Sequence, residues 1–162
     1  MDPTFVEAFR WTVEDAFASL SSWAEPHVSR RPGEGRWSAK EILGHLVDAA
    51  SNNHQRFVRA LLKDDLVFAG YDQDEWVRLQ AYQEGDWVEI LSLWRGFNLR
   101  LVDLAARIPA DALNRARYLH NLHLIAWRAV PEDEPTTLEY LFRDYLAHLE
   151  HHLDEMERLL GS

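Results

Sequence analysis

The amino-acid sequence predicts an all-α fold, a four-helix bundle with long crossover connections. Four segments carry apolar residues at three- and four-residue spacing, which is the period of an amphipathic helix. Two of these segments begin with a capping-box pattern, a hydroxyl side chain followed three residues later by glutamate. Convincing strand patterns are absent, and the connections are long, as in bundles whose loops cross from one end to the other.

The first helix is predicted from Asp2 to about Ser22, with Pro3 just inside its start. Its apolar positions are Phe5, Val6, Phe9, Val13, Phe17 and Leu20. Residues 24–35 contain two prolines and two glycines among charged residues, so this stretch is predicted to be a loop.

The second helix is predicted to begin at the capping box formed by Ser38 and Glu41, and to end near Leu62. Residues 63–85 are polar and include two glycines. They predict a long connection with a helical turn around Asp74–Leu79. Long connections in compact domains often carry function.

The third helix is predicted to start at Asp86, with Glu89 three residues further on, and to end at Ile108 and Pro109. Its predicted apolar face consists of Ile90, Leu93, Trp94, Phe97, Leu101 and Leu104. The stretch 114–134 fits a short hairpin or an irregular loop equally well.

The fourth helix is predicted to open with a second capping box, Thr136 and Glu139, and to run until Gly161. Its apolar positions are Leu138, Leu141, Phe142, Tyr145, Leu149, Met156 and Leu159. No internal repeat interrupts the chain, and its length predicts a single domain over residues 1–162.

Composition narrows the classes of function. A formal net charge of -10 argues against a nucleic-acid partner and against anionic membranes. The absence of cysteine excludes disulfides, a thiolate nucleophile and cysteine-ligated metal sites, so a bound metal must use nitrogen and oxygen ligands. No signal peptide and no apolar run of roughly 18 residues is evident, so a cytoplasmic location is expected.

Histidines at helical spacing are the chemically most informative feature. On the fourth helix Tyr145, His148, His152 and Glu155 follow each other at spacings of three and four, and therefore share one face. On the second helix His45 lies in a similar polar stripe with Asp48. Buried polar groups need partners, and one metal ion bound by His45, His148 and His152 would satisfy them together.

Carboxylates near these histidines are candidates for supporting roles. Asp48, Asp144 and Glu155 could hold the outer ring nitrogens of ligating histidines or move a proton, and Asp48 and Glu155 are the candidate catalytic residues. Four other histidines are placed outside the site, two on outward helix positions and two in the irregular stretch; they are His54, His151, His120 and His123.

With these features in place, the chain resembles the DinB superfamily and, within it, the YfiT-like metal-dependent hydrolases. The resemblance covers most of the chain from Trp37 onward. The residues that carry it are the segment Trp37–Asp48, then Asn53, Arg56 and Phe57, then Tyr71–Trp76, and finally Thr137, Leu138 and the pattern His148-Leu-Glu-His151-His152.

This resemblance implies a four-helix bundle in which three histidines, here His45, His148 and His152, coordinate a divalent metal. Zinc and nickel are expected first, and iron, manganese and cobalt are also compatible with such ligands. Family members include S-transferases and an isomerase that use a low-molecular-weight thiol, alongside many proteins of unknown activity. Where the family often has glutamine after the last ligand, this chain has Glu155.

Three interpretations follow from the sequence. The first is a metal-dependent hydrolase or thiol S-transferase that activates water or a thiol for attack on a small-molecule substrate. The second is a non-catalytic metal-binding or protein-interaction bundle, with a homodimer as one form. The third is a satisfied polar core without metal. An open coordination position facing a cleft would favour the first over the second.

Overall fold

The computed structural model describes residues 1–160, which are almost entirely helical. Within this part of the chain there are seven α-helices and one 3₁₀ turn, Tyr82–Glu84. The α-helices are α1 Pro3–Leu20, α2 Ala39–Leu62, α3 Gln73–Leu79, α4 Trp87–Arg107, α5 Ala110–Asn114, α6 Leu122–Ile125 and α7 Leu138–Leu160. The predicted all-α class is confirmed, and the predicted end of the last helix at Gly161 lies outside the described residues.

Helices α1, α2, α4 and α7 form the bundle. Helix α2 packs against α4 and α7, and α1 packs against the same two helices on the other side. The apolar stripes of all four meet in one core, whose largest fully buried side chains include Phe9, Phe57, Trp94 and Phe142. None of the helices in residues 1–160 is long and apolar enough to cross a membrane.

The start of α2 has the predicted capping box. The backbone N–H of Glu41 donates to Ser38 Oγ at 3.2 Å, and the N–H of Ser38 donates to Glu41 Oε2 at 2.9 Å. Arg31 adds an ion pair to the Glu41 carboxylate. Every residue from 39 to 50 is buried, because this half of α2 is surrounded by other elements. The helix start that carries His45 is therefore fixed on all sides.

Close packing beside His45 depends on a glycine. A Cβ atom at Gly44 would lie 2.2 Å from the ring of Tyr82, closer than any real contact. Glycine thus allows the 3₁₀ turn that carries Tyr82 to lie directly on α2. The Tyr82 hydroxyl then donates to Asp48 Oδ1 at 2.8 Å.

Helix α4 begins as predicted, since Asp86 Oδ1 accepts a hydrogen bond from the N–H of Glu89 at 2.9 Å. Its predicted apolar face is partly wrong, because Leu93 is 50% exposed. The buried face is rotated towards Leu91, Asn98 and Val102. Asn98 is fully buried and accepts a hydrogen bond from the Tyr145 hydroxyl of α7 at 2.7 Å.

The predicted capping box at Thr136 and Glu139 is wrong. Thr137 Oγ1 accepts from the N–H of Tyr140 at 3.0 Å, so Thr137 caps α7. Thr136 is instead held in an antiparallel bridge, where its N–H and C=O pair with the backbone of Arg117. The Glu139 carboxylate pairs with Arg143 one turn further along the helix.

The two long connections have defined local structure. The predicted helical turn in residues 63–85 is confirmed as α3. Residues 114–134 form an irregular segment containing the short helix α6, and not a regular hairpin. A parallel bridge between Leu66 and His120 joins the two connections. They therefore lie together over one side of the bundle, beside α2 and α7.

Candidate metal centre

The structure brings His45, His148 and His152 together between α2 and α7. Their ring centroids are 5.2 Å apart for His45 and His148, 5.0 Å for His45 and His152, and 4.7 Å for His148 and His152. One ring nitrogen from each lies within 4.8 Å of the others. The four-residue spacing on α7 puts two imidazoles on the face that α2 covers, and His45 meets them from the opposite helix.

The nitrogens have a separation that suits a shared ion. His45 Nε2 and His148 Nε2 are 3.2 Å apart. Two nitrogen ligands of a tetrahedral ion, each at about 2.0–2.1 Å, lie about 3.3 Å from each other. The donor set of three imidazoles is one that binds zinc and other divalent transition metals. By distance and by chemistry, these residues fit a divalent metal.

Burial keeps the imidazoles neutral. His45 is 1% exposed, and its burial lowers its pKa to about 3. Burial also lowers the pKa of His148 to about 3, and lowers the pKa of His152. In each case a neighbouring histidine adds to the effect. A neutral imidazole presents a lone pair, as a metal ligand must.

Glu155 orients one of the three rings. Its Oε2 atom lies 3.0 Å from His152 Nδ1, so this nitrogen is engaged outside the cluster and Nε2 is left to face inward. Arg36 lies 3.7 Å from the other carboxylate oxygen of Glu155. The structure therefore places Glu155, one of the predicted supporting carboxylates, beside His152.

Asp48 faces a different set of partners. Its Oδ1 atom accepts from the Tyr82 hydroxyl and the Gln80 side-chain amide, while Oδ2 is buried without a hydrogen-bond partner in residues 1–160. Burial raises the pKa of its carboxyl group. Asp48 makes no hydrogen bond to the histidines, so it does not orient them as Glu155 does.

Asp144 shapes the wall of the site. Its two carboxylate oxygens accept from the backbone N–H groups of Trp127 and Arg128 at 2.8 and 2.7 Å. This contact holds the Trp127 ring 5.4 Å from the His148 ring. The sequence did not indicate Trp127 as a site residue, because it lies in the irregular segment. Its one signal was an aromatic residue within a long connection that also contains histidines.

A cavity of about 200 Å³ opens beside the histidines. Two of the three, His45 and His148, lie in its wall. Further along, the wall includes Arg56 of α2, Asp144 of α7, and Tyr71 and Trp127 of the two long connections. The cavity therefore gives a small molecule access to the histidine cluster.

The other histidines take no part in this cluster. His120 is 5% exposed, and its Nε2 lies 2.8 Å from the carbonyl oxygen of Glu134, so it joins parts of the irregular segment. His54 and His123 are partly buried, and neither lies in the cavity wall. His151 is exposed, as predicted, and its ring packs on Trp127. With His152 and Glu155 it forms a second, more exposed group of potential ligands.

Fold and site together define an all-α bundle protein with a buried three-histidine cluster suited to a divalent metal. The sequence profile of the DinB superfamily matches residues 8–156. The chain belongs to the DinB superfamily.

Relatives of known name agree with this class. Proteins from two bacteria carry the name "Putative metal-dependent hydrolase". The protein from Oceanobacillus iheyensis is 23% identical over 105 residues, which are 65% of this chain and 60% of that protein. The protein from Halalkalibacterium halodurans is 25% identical over 136 residues, 84% of this chain and 72% of its own.

The fold has a counterpart among solved structures. YfiT from Bacillus subtilis, a four-helix bundle of unusual topology, superposes with a TM-score of 0.76 at 20% identity. The match covers 98% of this chain and 87% of YfiT. The predicted bundle architecture is thereby confirmed.

Proposed function

We propose that this protein is a metal-dependent enzyme that acts on a small molecule. His45, His148 and His152 would hold the divalent ion, with zinc and nickel as the first candidates. One observation carries the proposal: three neutral imidazoles converge beside an open cavity. A closed site with no adjoining space would suit a structural metal better.

The ion would act as a Lewis acid, either by activating a nucleophile or by polarising a bond of the substrate. The residues of the chain have separable tasks. Glu155 fixes the ring of His152 through Nδ1, and Trp37 and Trp127 pack against the ligand rings. These aromatic side chains limit solvent around the cluster and so strengthen electrostatic interactions inside it.

Two reaction classes fit this site. Hydrolysis is supported by the names of the relatives. Transfer to a low-molecular-weight thiol is the alternative within the same proposal, since a soft thiolate also suits zinc. The absence of cysteine means that a thiol reactant would have to come from outside the chain.

The primary test is metal content. Protein purified without an affinity tag, then exposed to zinc or nickel and dialysed, should retain about one equivalent of metal and melt at a higher temperature than the metal-free form. His45→Ala should lose both properties. Wild-type protein that retains no metal, and whose melting temperature is unchanged by either ion, would refute the proposal.

The reaction class requires a second experiment. Metal-loaded protein is incubated with simple esters and amides, and separately with thiol and electrophile pairs. Turnover of the first set that disappears in His45→Ala supports hydrolysis, whereas turnover of the second set supports thiol transfer. Loaded wild-type protein that turns over neither set would favour the non-catalytic interpretation.

A further inference from the structure

The cavity beside the histidines also contains a buried positive charge. Arg56 is 8% exposed and lies in the cavity wall. It is on the same face of α2 as His45, eleven residues further along, which corresponds to about 16 Å of helix. Side chains of an α-helix lean towards its start, which for Arg56 is the direction of His45, and both residues lie in the wall of the same cavity.

This guanidinium has few partners. Among residues 1–160 it makes no ion pair, and it donates to the carbonyl oxygen of Ala69 at 3.2 Å. A guanidinium has five N–H donors, so most of them remain for other partners. Burial lowers the pKa of Arg56, which reflects the cost of removing this charge from water.

Other arginines of the chain show how unusual this is. Arg31, Arg95 and Arg143 each pair with a carboxylate, and each is far more exposed than Arg56. Arg117 is also buried, but it donates to the backbone carbonyl groups of Ala60 in the last turn of α2 and of Ala112 in α5, and it does not lie in the wall of this cavity. In this acidic protein, Arg56 brings an unpaired cation to the wall of a cavity.

Neighbouring groups complete an anion site. Tyr71 lines the same cavity, and burial raises its pKa to about 12, so its hydroxyl stays protonated and can donate. No hydrogen bond occupies this hydroxyl within residues 1–160. Asp144 also lines the cavity, but both its oxygens are bonded to the N–H groups of Trp127 and Arg128. Within residues 1–160 no ion pair joins Asp144 to Arg56, so Asp144 does not occupy the guanidinium.

We infer that Arg56 and Tyr71 bind a carboxylate group of the substrate, and that the reacting end of the same molecule extends to the histidine cluster. The guanidinium offers two parallel N–H bonds that match the geometry of a carboxylate, and the tyrosine hydroxyl adds a third donor. A single cation suits a monoanion better than a doubly charged phosphate. Only the contact between the reacting end and the histidine cluster rests on the proposed function; the carboxylate site does not depend on a bound metal.

The test separates the two ends of the ligand. Hexanoate, 1-hexanol and inorganic phosphate are titrated into metal-free protein by calorimetry. 6-Mercaptohexanoate and 6-mercaptohexanol are then titrated into zinc-loaded protein. Hexanoate should bind more tightly than hexanol, and in loaded protein 6-mercaptohexanoate should bind more tightly than either hexanoate or 6-mercaptohexanol.

Variants assign the effect to Arg56. Arg56→Met should weaken hexanoate binding by at least about 10-fold, because hydrogen bonds to charged groups are the stronger ones. Arg56→Lys should recover part of it. Arg59→Met is the matched control, since Arg59 is an exposed arginine of α2 bonded to Gln55, and it should bind hexanoate as the wild type does.

The results distinguish the inference from the proposed function. If hexanoate binds through Arg56 but 6-mercaptohexanoate binds zinc-loaded protein no more tightly than hexanoate, the carboxylate site stands and the extension of the ligand to the histidine cluster is overturned. Failure of the proposed function is seen separately, as protein that retains no zinc. If hexanoate binds no better than hexanol, or phosphate binds better than hexanoate, the inference is overturned. The wild-type comparison alone decides this if Arg56→Met does not fold.

Discussion

His45 Nε2 lies 3.2 Å from His148 Nε2, so the central helix α2 and the last helix α7 meet through two imidazole nitrogens. Both rings are neutral because burial lowers their pKa to about 3. A hydrogen bond between the two nitrogens requires that one of them carries a proton. The same separation would also suit two lone pairs directed at one tetrahedral ion. Binding of an ion would then require no large movement of either helix.

His151 distinguishes the two possible ligand groups. His152 belongs both to the buried cluster with His45 and His148 and to the exposed group with His151 and Glu155. We expect His151→Ala to retain about one equivalent of metal, and His148→Ala to lose it, because the buried cluster supplies three neutral nitrogens. Elemental analysis after dialysis measures both. Loss of metal in His151→Ala with retention in His148→Ala would place the ion in the exposed group.

Removal of the carboxylate at Glu155 should weaken metal binding without abolishing it. Glu155 accepts from His152 Nδ1 at 3.0 Å and so orients a proposed ligand. Loss of such an outer partner typically costs 10–100-fold in metal affinity, and we expect about this decrease for Glu155→Ala. Competition with a chromophoric chelator gives the dissociation constant. Glu157→Ala, an exposed position of the same helix, is the control; equal affinities in the two variants would rule out an orienting role.

Much of the fold follows from local sequence signals. The capping box at Ser38 and Glu41 and the periodicity of the long helices predicted α2 and α7 with their inward faces, and therefore where His45, His148 and His152 would project. The wrong start assigned to α7 has a physical reason. Thr136 and Thr137 have similar capping ability, and a bridge to Arg117, distant in sequence, decides which one caps.

The rest of the site depends on contacts that periodicity does not encode. Trp127 lies in a segment without regular structure, and it reaches the cluster because Asp144 of α7 accepts two of that segment's backbone N–H groups. Asp48 shares a helix stripe with His45 but bonds to Tyr82, whose position depends on the 3₁₀ turn. Spacing along one helix predicts which face a residue occupies, not which neighbour covers it.

Asp144→Ala should loosen the wall of the cavity. It removes the acceptor for the N–H groups of Trp127 and Arg128, and an unpaired buried donor costs about 1–3 kcal/mol. Hydrogen exchange read by mass spectrometry should accelerate in peptides covering 126–129. Asp154→Ala, which alters an exposed ion pair of α7, should leave this exchange unchanged. Unaltered exchange in Asp144→Ala would show that other contacts hold the segment.

Gly44→Ala should destabilise the fold beside the site, whereas Gly96→Ala should not. A Cβ atom at Gly44 meets the Tyr82 ring at 2.2 Å, so the 3₁₀ turn must move away from α2, and overpacking of this kind costs about 1–3 kcal/mol. An added Cβ at Gly96, inside α4, meets nothing within 4 Å, and alanine there should stabilise the helix by up to about 1 kcal/mol. Urea unfolding followed by circular dichroism gives both free energies of unfolding.

Because the displaced turn carries the Tyr82 hydroxyl that donates to Asp48, Tyr82→Phe in the Gly44→Ala background should add less destabilisation than Tyr82→Phe alone. Fully additive effects, or equal stabilities of the two alanine variants, would contradict the close packing of Tyr82 on Gly44.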